Sequence, residues 1–354
     1  MKTFAAINVG SYEQSLKIYT ITKNNGIREV DWIRNRLDLG GTFATGKLSH
    51  EVMDELCAVL RNFVSIMEGY RVDDYRACAT SAIRETKNTA IVLDQIMQRT
   101  GVKLDVLSNS EQRFLDYKSI ASRGGFEKII EKGTLVLDIG GGSIQISLFD
   151  KDRLVASQNM KIGNLRLRER MMNEGVSLKH YETLLTEVVK NEFLSYKKLY
   201  LKDRVISNLI VVGDHIGDAV HKNVMTRADF LNFYDDMIYR SDEDAAGRCE
   251  VPEDVISVLR PSLVVYRCFL EAADVENIWM PGLHLTDGMA YEYAQQNRLL
   301  KLGHDFDEDI LAAARNAAKR YQCSKSHIKV CEDLAVGIFD KIKKSQGFDD
   351  RDRL

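Results

Sequence analysis

The sequence predicts an α/β protein with two similar domains. Short apolar segments alternate with segments of helical periodicity along most of the chain, which is typical of strands alternating with helices. The plan of strand, glycine turn and strand occurs at residues 4–22 and again at residues 134–149, which indicates an internal duplication. The length of 354 residues also favours more than one domain.

The first half is predicted to begin with a hairpin. Phe4 to Val9 is an apolar run that ends at Gly10-Ser11, and Leu16 to Thr22 follows it before the turn signal Asn24-Asn25-Gly26. Helical periodicity starts at Ser49, a suitable N-cap. The elements predicted from there are helices over 49–68, 90–99 and 111–122 and strands over 75–80 and 103–107.

The second half repeats this beginning at Gly133. Thr134 to Leu137 is a strand that runs into Asp138-Ile139-Gly140-Gly141-Gly142-Ser143, and Ile144 to Phe149 is the strand after it. The elements predicted beyond it are a long helix over 179–196, a strand that ends at Gly213, helices through the 220s to the 260s, and two helices over 304–321 and 327–342.

Composition and charge exclude several classes of protein. With 49 basic and 52 acidic residues the formal net charge is −3, so the chain lacks a basic excess and we expect no DNA partner. No apolar run approaches the roughly 18–20 residues that span a bilayer, and no signal-peptide pattern precedes the first strand. The six cysteines are scattered without a CxxC pair, as expected of reduced thiols. These features predict a cytoplasmic protein that has no membrane partner.

The glycine turn at residues 138–143 is the most informative string. Glycine tolerates positive φ and lets backbone N–H groups approach a ligand, and several such groups in a row form a concave site for a phosphate. Asp138 at the strand end is a suitable oxygen ligand for Mg²⁺. The alternative is a tight hairpin turn that binds nothing, although three glycines exceed what a two-residue hairpin needs.

Several strings together resemble the Ppx/GppA family, which comprises exopolyphosphatases and guanosine pentaphosphate phosphohydrolases. The strings, in chain order, are AAINVGS (5–11), RNRLDLGG (34–41), ATSAIRETKN (79–88), LSNSEQRFLDY (107–117), DIGGGS (138–143), GNLRLRE (163–169) and WMPGLHLTDG (279–288). The resemblance covers about residues 4–300. It implies two RNase H-like domains of the actin-like/sugar-kinase fold around a phosphate-binding cleft, with polyphosphate or a guanosine polyphosphate nucleotide as ligand and Mg²⁺ as cofactor.

The resemblance also predicts the domain boundaries. The first RNase H-like domain is expected at residues 1–123, the second at 124–300, and a C-terminal helical segment at 301–354. The two terminal helices resemble the opening of the HD-type domain of longer family members, and the chain ends before a paired His-Asp motif, so we expect a truncated domain. A helical hairpin packed on the second domain is the alternative. His304-Asp305 is better explained by a helix start than by a metal motif.

The chain departs from the family pattern at three carboxylates. An asparagine, Asn8, replaces the aspartate of the first loop, and Gln145 replaces the glutamate after the triple glycine. Gln112 falls at the general-base glutamate, where an amide cannot take a proton from water. The neighbouring Glu111 points roughly 100° away around the helix. The third loop, at Gly213, lacks the family's serine and threonine hydroxyls.

The resemblance places the candidate site residues in three groups. The degenerate base position is Gln112 with Glu111. The phosphate-binding residues are Gly10, Ser11, Gly140, Gly141, Gly142, Ser143, Gly213, Arg34, Arg36 and Arg84. The metal ligands, for which weak or absent Mg²⁺ binding is expected, are Asp138, Asn8 and Gln145.

Two interpretations of function stay open at this point. The first is a protein that binds polyphosphate or (p)ppGpp-like polyanions with impaired hydrolysis of phosphoanhydride bonds. The second is an active hydrolase in which another group supplies the base, the candidates being Glu13, Glu111, Asp116, Asp214 and His215. A kinase is disfavoured because no adenosine-pocket motif is present, and zinc on Cys323, His327 and Cys331 is disfavoured because three ligands on one helix converge poorly. A homodimer is compatible with either interpretation.

Overall fold

The computed structural model describes residues 1–23, 26–173, 178–201, 204–213, 215–300, 303–348 and 353. Two sheets organise the chain. The strands of the first sheet are β1 (Lys2–Val9), β2 (Glu13–Thr22), β3 (Gly26–Arg36), β4 (Asp74–Ala79) and β5 (Leu104–Val106), in the order β3-β2-β1-β4-β5. Its helices are α1 (Gly41–Thr45), α2 (His50–Gly69), α3 (Ser81–Arg84) and α4 (Thr89–Thr100).

The second sheet repeats this topology. Its strands are β6 (Thr134–Ile139), β7 (Ile144–Asp150), β8 (Arg153–Met160), β9 (Asn208–Val212), β10 (Val224–Thr226) and β11 (Asn277–Trp279), in the order β10-β11-β9-β6-β7-β8. In both sheets the first strand pairs antiparallel with the second and parallel with the fourth, so β6 corresponds to β1 and β9 to β4. The predicted duplication and α/β class are confirmed.

The remaining helices connect and cover the sheets. They are α5 (Asn109–Ala121), α6 (Phe126–Ile130), α7 (Asn164–Asn173), α8 (Leu178–Tyr196) with a π-helical turn over Lys197–Leu201, α9 (Ile216–Val220), α10 (Arg227–Met237), α11 (Asp242–Cys249), α12 (Glu253–Ala273), α13 (Leu285–Gln296), α14 (Phe306–Arg320) and α15 (Lys325–Gln346). Each predicted helix and strand exists, with bounds that differ by a few residues.

Local sequence explains α2 well. Ser49 is its N-cap, and the side-chain oxygen accepts a hydrogen bond from the backbone N–H of Val52, as predicted. Leu56, Leu60 and Phe63 recur at helical spacing and are fully buried against the first sheet.

Each sheet is covered on both faces. Along β1, the side chains of Ala5, Ile7 and Val9 pack against α2 and α4, whereas Phe4 and Ala6 belong to a separate core with α13. This alternation is the two-residue period of a strand buried on both sides. The sheet is therefore held rigidly between two layers of helices.

Helix α5 contacts both sheets. Leu115 packs in the core beneath the first sheet, and Tyr117 and Ile120 pack in a core that includes Val136 of the second sheet. Helix α13 follows the second sheet in sequence but returns to α5 and the first sheet. The domain boundaries at 123 and 300 stay a prediction, and these contacts favour counting α13 with the first domain.

The C-terminal helices differ in their packing. Helix α14 covers the edge strand β8, where Asp309 accepts a hydrogen bond from Leu154 N at 3.0 Å and Asn316 donates one to Leu154 O at 3.3 Å. Asp305 caps α14, as predicted. No residue of α15 is buried. Helix α14 therefore packs on the second sheet whereas α15 buries no residue, and the truncated HD-type domain and the packed hairpin both stay predictions. Within the described residues, none of the helices is both long and apolar enough to cross a bilayer.

The contact between α13 and α5 yields a stability prediction. An added Cβ at Gly288 would lie 1.9 Å from the carbonyl oxygen of Leu115, so Gly288→Ala must push the two helices apart. We expect a loss of about 1–3 kcal/mol or more in the free energy of unfolding. The matched control is Gly337→Ala in α15, where no atom lies within 4 Å and helix propensity predicts a gain of about 0.5–1 kcal/mol. Urea unfolding of both variants measures this, and an equal change in both would contradict the close packing.

Candidate functional site

The candidate site is a cavity of about 110 Å³ between the two sheets. It lies where the parallel strands β1, β4, β6 and β9 reach their carboxyl ends, the usual position of a ligand site in α/β folds. The predicted residues that line it are Asn8, Gly10, Ser11, Arg34, Gln112, Asp138, Gly140, Gly141, Ser143 and Gly213. Other residues of its wall are Tyr12, Glu13, Ser15, Thr80, Ser81, Asp116, Ile139, Asn164, His215, His284 and Leu285.

The two glycine turns face each other across this cavity. Gly10 N donates to Glu13 O at 3.0 Å and Gly140 N donates to Ser143 O at 2.9 Å, so each turn joins two antiparallel strands in the same way. A Cβ added at Gly141 would lie 2.7 Å from the Cβ of Ser11. Glycine is therefore required here by the close approach of the turns.

Two other predicted glycines are also explained by contacts. A Cβ at Gly142 would meet the ring of Phe43 at 2.5 Å and the hydroxyl of Ser81 at 2.8 Å, so Gly142 packs against the first domain beside the cavity. Gly213 has a φ of 78° and approaches the carboxylate of Asp138, whose Oδ1 would lie 2.7 Å from an added Cβ. A side chain at position 213 would clash with this carboxylate, so the position requires glycine.

Two amides surround Asp138. Gln112 donates from Nε2 to Asp138 Oδ2 at 2.7 Å, and Gln145, the strand partner of Asp138 across β6 and β7, donates to the same oxygen at 3.4 Å. Gln112 also accepts a bond from Arg84 at 3.3 Å through its Oε1. Both ends of the Gln112 amide are therefore engaged, and its nitrogen is a donor where a general base would need an acceptor.

Asp116 adds a carboxyl group that the family pattern does not indicate. It lies four residues after Gln112 on α5, hence on the same face of the helix, and it lines the cavity while 3% exposed. Its carboxyl group is close enough to that of Asp138 for the two to interact electrostatically. Burial and this neighbouring charge raise the pKa of Asp116 well above its ordinary value. The sequence left Asp116 as one of five alternatives, although its spacing of four residues from Gln112 already places the two on one helix face.

Several oxygen atoms around this carboxyl pair are acceptors without a donor. Within the described part of the chain, Asn8 Oδ1, Gln145 Oε1 and Asp116 Oδ2 are buried and have no hydrogen-bond partner. No group of three or more His, Cys, Asp or Glu side chains in that part is arranged so that it could hold a metal ion. Two carboxyl groups and two amide oxygens are nonetheless the kind of donors that Mg²⁺ takes, so the residues present fit this cation.

Of the three predicted arginines, Arg34 alone is in the cavity wall. Its guanidinium donates to both carboxylate oxygens of Glu13, at 2.8 and 2.9 Å, and to Asp218 at 3.0 Å. Arg84 lies behind Gln112 and donates to the carbonyl oxygen of Leu107 at 2.7 Å. These cations already have partners in the protein.

Arg36 belongs to a set of ion pairs that join the two domains. It pairs with Asp254 of α12 at 3.1 Å. The other pairs of this set are Arg34 with Asp218, Arg166 with Glu85, and Arg168 with Asp38. Each has one partner on the predicted first domain and one on the predicted second domain, so these ion pairs bridge the two sides of the cleft.

Two further alternatives are placed by the structure. Glu111 caps α5 by accepting a hydrogen bond from Ser108 N at 2.8 Å and does not line the cavity. His215 lines the cavity and contacts Arg34 at 3.2 Å. Asp214 lies outside the described residues.

Sequence patterns missed His284, which enters the cavity wall at the start of α13. Its ring lies 4.7 Å from that of Trp32, centroid to centroid. Burial, together with the nearby Lys17 ammonium group, lowers the pKa of His284 to about 4. His284 is therefore neutral at pH 7.

Known proteins share both sequence and fold with this chain. The model of the Ppx/GppA phosphatase family matches residues 31–297. A guanosine-5'-triphosphate,3'-diphosphate pyrophosphatase from Photobacterium profundum is 22% identical over 96% of this chain and 67% of its own length. Exopolyphosphatase 1 from Mycobacterium leprae is 32% identical over 30% of each chain. A bifunctional 3-dehydroquinate synthase/phosphatase from Fusobacterium nucleatum is 24% identical over 47% of this chain and 26% of its own length. The chain thus spans between about a quarter and two thirds of these curated relatives.

Solved structures show the fold. A Ppx/GppA family member from Aquifex aeolicus has a TM-score of 0.68 at 19% identity, and an exopolyphosphatase from Cytophaga hutchinsonii has a TM-score of 0.73 at 16% identity. Both matches cover 84% of this chain and 98% of the other chain. The predicted fold of two RNase H-like domains of the actin-like type is confirmed.

The neutral His284 predicts a pH dependence of stability. Between pH 6.5, the ordinary imidazole pKa, and about pH 4, the unfolded chain binds a proton that the native state does not, so stability falls as the pH falls. His284→Gln should remove this component, which amounts to at most about 3 kcal/mol at pH 4. The control is His50→Gln, an exposed histidine of α2. Urea unfolding from pH 7 to 4.5 measures the effect, and parallel curves for His284→Gln and the unmodified protein would contradict it.

Proposed function

The chain belongs to the Ppx/GppA phosphatase family, and we propose that it binds inorganic polyphosphate or a guanosine polyphosphate nucleotide in the interdomain cavity, with impaired phosphoanhydride hydrolysis. The observation that carries the proposal is the hydrogen bond from Gln112 Nε2 to Asp138. An amide nitrogen with its protons directed at a carboxylate cannot accept a proton from an attacking water molecule.

The surroundings of Gln112 support a site that keeps the shape of the family's binding site but lacks its general base. Arg84 on one side and Asp138 on the other would suit a carboxylate bridged to a metal as well as they suit the amide. General-base action contributes about 10²–10⁴ to a rate. Loss of the base at this position therefore leaves a binding site whose turnover is slower by about that factor.

The cavity suits one end of a phosphate chain. The two glycine turns direct backbone toward it, the hydroxyl groups of Ser11, Ser81 and Ser143 are buried beside it, and Arg34 is on its wall. The cavity of about 110 Å³ has room for a terminal phosphate group. The rest of the ligand would then leave between the two domains, where the bridging ion pairs lie.

A second candidate function is an active exopolyphosphatase or pppGpp phosphohydrolase. The observation that favours it is Asp116, because this carboxyl group is in the cavity wall next to Asp138. The two candidates differ in one measurable quantity, which is the rate of phosphate release from polyphosphate and from pppGpp.

The partners of Arg34 predict opposite effects of two substitutions on binding. Arg34→Ala removes a charge-assisted contact worth about 1.5–3 kcal/mol and should weaken polyphosphate binding about tenfold or more. Asp218→Asn removes a carboxylate that competes with phosphate for the same guanidinium, so it should strengthen binding. Titration with polyphosphate of defined length at fixed ionic strength measures both, with Arg61→Ala, on the exposed face of α2, as the control. Three unchanged curves would mean that the ligand binds elsewhere.

The altered carboxylates predict the pattern of catalytic rescue. The protein should release phosphate from polyphosphate or pppGpp, with Mg²⁺ or Mn²⁺, well below the roughly 1 s⁻¹ at which enzymes ordinarily turn over. Gln112→Glu alone should restore little. The triple variant Asn8→Asp, Gln112→Glu, Gln145→Glu should gain far more than the sum of the single changes, since groups that act as a unit are non-additive.

The control for this rescue is the triple variant that also carries Asp138→Asn, which should stay inactive. Turnover of the unmodified protein at 1 s⁻¹ or faster would overturn the proposal of impaired hydrolysis and favour the second candidate.

A further inference from the structure

Asp116 lies one helical turn after Gln112 on α5. Gln112 is the residue that stands where the family pattern has a glutamate. Gln112 and Asp116 are four residues apart, and both line the cavity together with Asp138. Gln112 donates to the Asp138 carboxylate, and the charge of Asp138 acts on Asp116. Residues four apart are neighbours on one helix face. The carboxylate absent at position 112 is therefore present one turn further along the same face.

The protein gives this carboxyl group few partners of its own. Asp116 Oδ2 is buried and has no hydrogen-bond donor among the described residues. The positive charge of Arg113 acts on it, but the Arg113 guanidinium donates to Ser157 Oγ at 2.6 Å. Two buried carboxyl groups in contact repel each other when both are ionised, unless a positive charge lies between or beside them.

Two amide oxygens complete the arrangement. Gln145 is 2% exposed, lies beside Asp138, and its Oε1 has no donor in the described part of the chain. Asn8 is in the cavity wall, and its Oδ1 has no donor there either. Buried acceptors without a donor are unfavourable, and a bound cation would satisfy them. Together with the carboxyl groups of Asp116 and Asp138, the two amide oxygens form an all-oxygen set of the kind that a hard divalent cation binds.

We propose that Asp116 and Asp138, with the amide oxygens of Asn8 and Gln145, bind one divalent cation such as Mg²⁺ or Mn²⁺. Asp116 then takes the place of the carboxylate that Gln112 lacks. The cation adds positive charge next to the terminal phosphate site, and to that extent the inference rests on the proposed function. The binding of the cation itself requires no phosphate ligand.

The test measures the binding of Mn²⁺ to the full chain in the absence of phosphate. Electron paramagnetic resonance monitors the binding as a loss of the signal of free Mn²⁺. The unmodified protein should bind one Mn²⁺ that Mg²⁺ displaces and Na⁺ does not. Asp116→Asn should weaken this binding at least tenfold. The matched control is Asp94→Asn, an exposed aspartate of α4, which should leave Mn²⁺ binding unchanged.

A rescue variant separates a ligand role of Asp116 from a purely structural one. Asp116→Asn combined with Gln112→Glu moves the carboxylate back by one turn and should recover most of the Mn²⁺ affinity. If Asp116→Asn fails to fold, thermal unfolding of the unmodified protein still tests the cation site. Mn²⁺ that binds the folded state should raise the Tm of that protein as the Mn²⁺ concentration increases.

The proposal is overturned by any of three results. They are no Mn²⁺ binding and no shift in Tm at millimolar Mn²⁺, unchanged binding in Asp116→Asn, or an absence of recovery in the double variant. A polyphosphate titration in the presence of a chelator distinguishes the two proposals. Polyphosphate binding without Mn²⁺ binding would contradict the cation site alone, whereas Mn²⁺ binding without polyphosphate binding would contradict the proposed function alone.

Discussion

The packing of α5 against both sheets is the constraint on which the site depends. Leu115 is fixed against α13, where Gly288 allows the two backbones to touch, while the next turn of α5 packs under the second sheet. Gln112 and Asp116 lie on this helix, so their distance from Asp138 follows from how the two domains are joined. The packing of α5 therefore places the side chains at positions 112 and 116 near Asp138, and it does so for an amide as well as for a carboxylate.

Sequence patterns predict the parts of the fold and site that are local. Local hydrogen bonds and hydrophobic periodicity determine the duplicated strands with their glycine turns and the helix cap at Ser49, so a few residues suffice to predict them. The change at position 112 is read directly from the sequence. The proposed cation site is harder to predict from the sequence. Resemblance directs attention to positions 8, 138 and 145, whereas Asp116 becomes prominent only when helix α5 is placed against β6.

The partners of the arginines could not be predicted from local sequence. Arg34 and Arg36 are recognisable from their string, but their partners Asp218 and Asp254 lie 184 and 218 residues away in sequence. Charge alone suggests arginines available for phosphate, and long-range packing instead gives each a carboxylate. Arg84 is similar, because its role beside Gln112 arises from the loop after β5.

The bridging ion pairs also change what ligand affinity means for this protein. A polyanion that reaches Arg34 must displace Asp218 or Glu13, and parting the domains would release Asp38 and Asp254 to water. Binding is then an exchange of anions at the same cations rather than a neutralisation of unpaired charge. Because added salt screens the pairs that are broken as well as those that are formed, the affinity should depend on ionic strength less steeply than the number of arginines suggests. The selectivity of the cleft among anions would accordingly be set by how well a phosphate group matches the geometry of the carboxylate that it replaces.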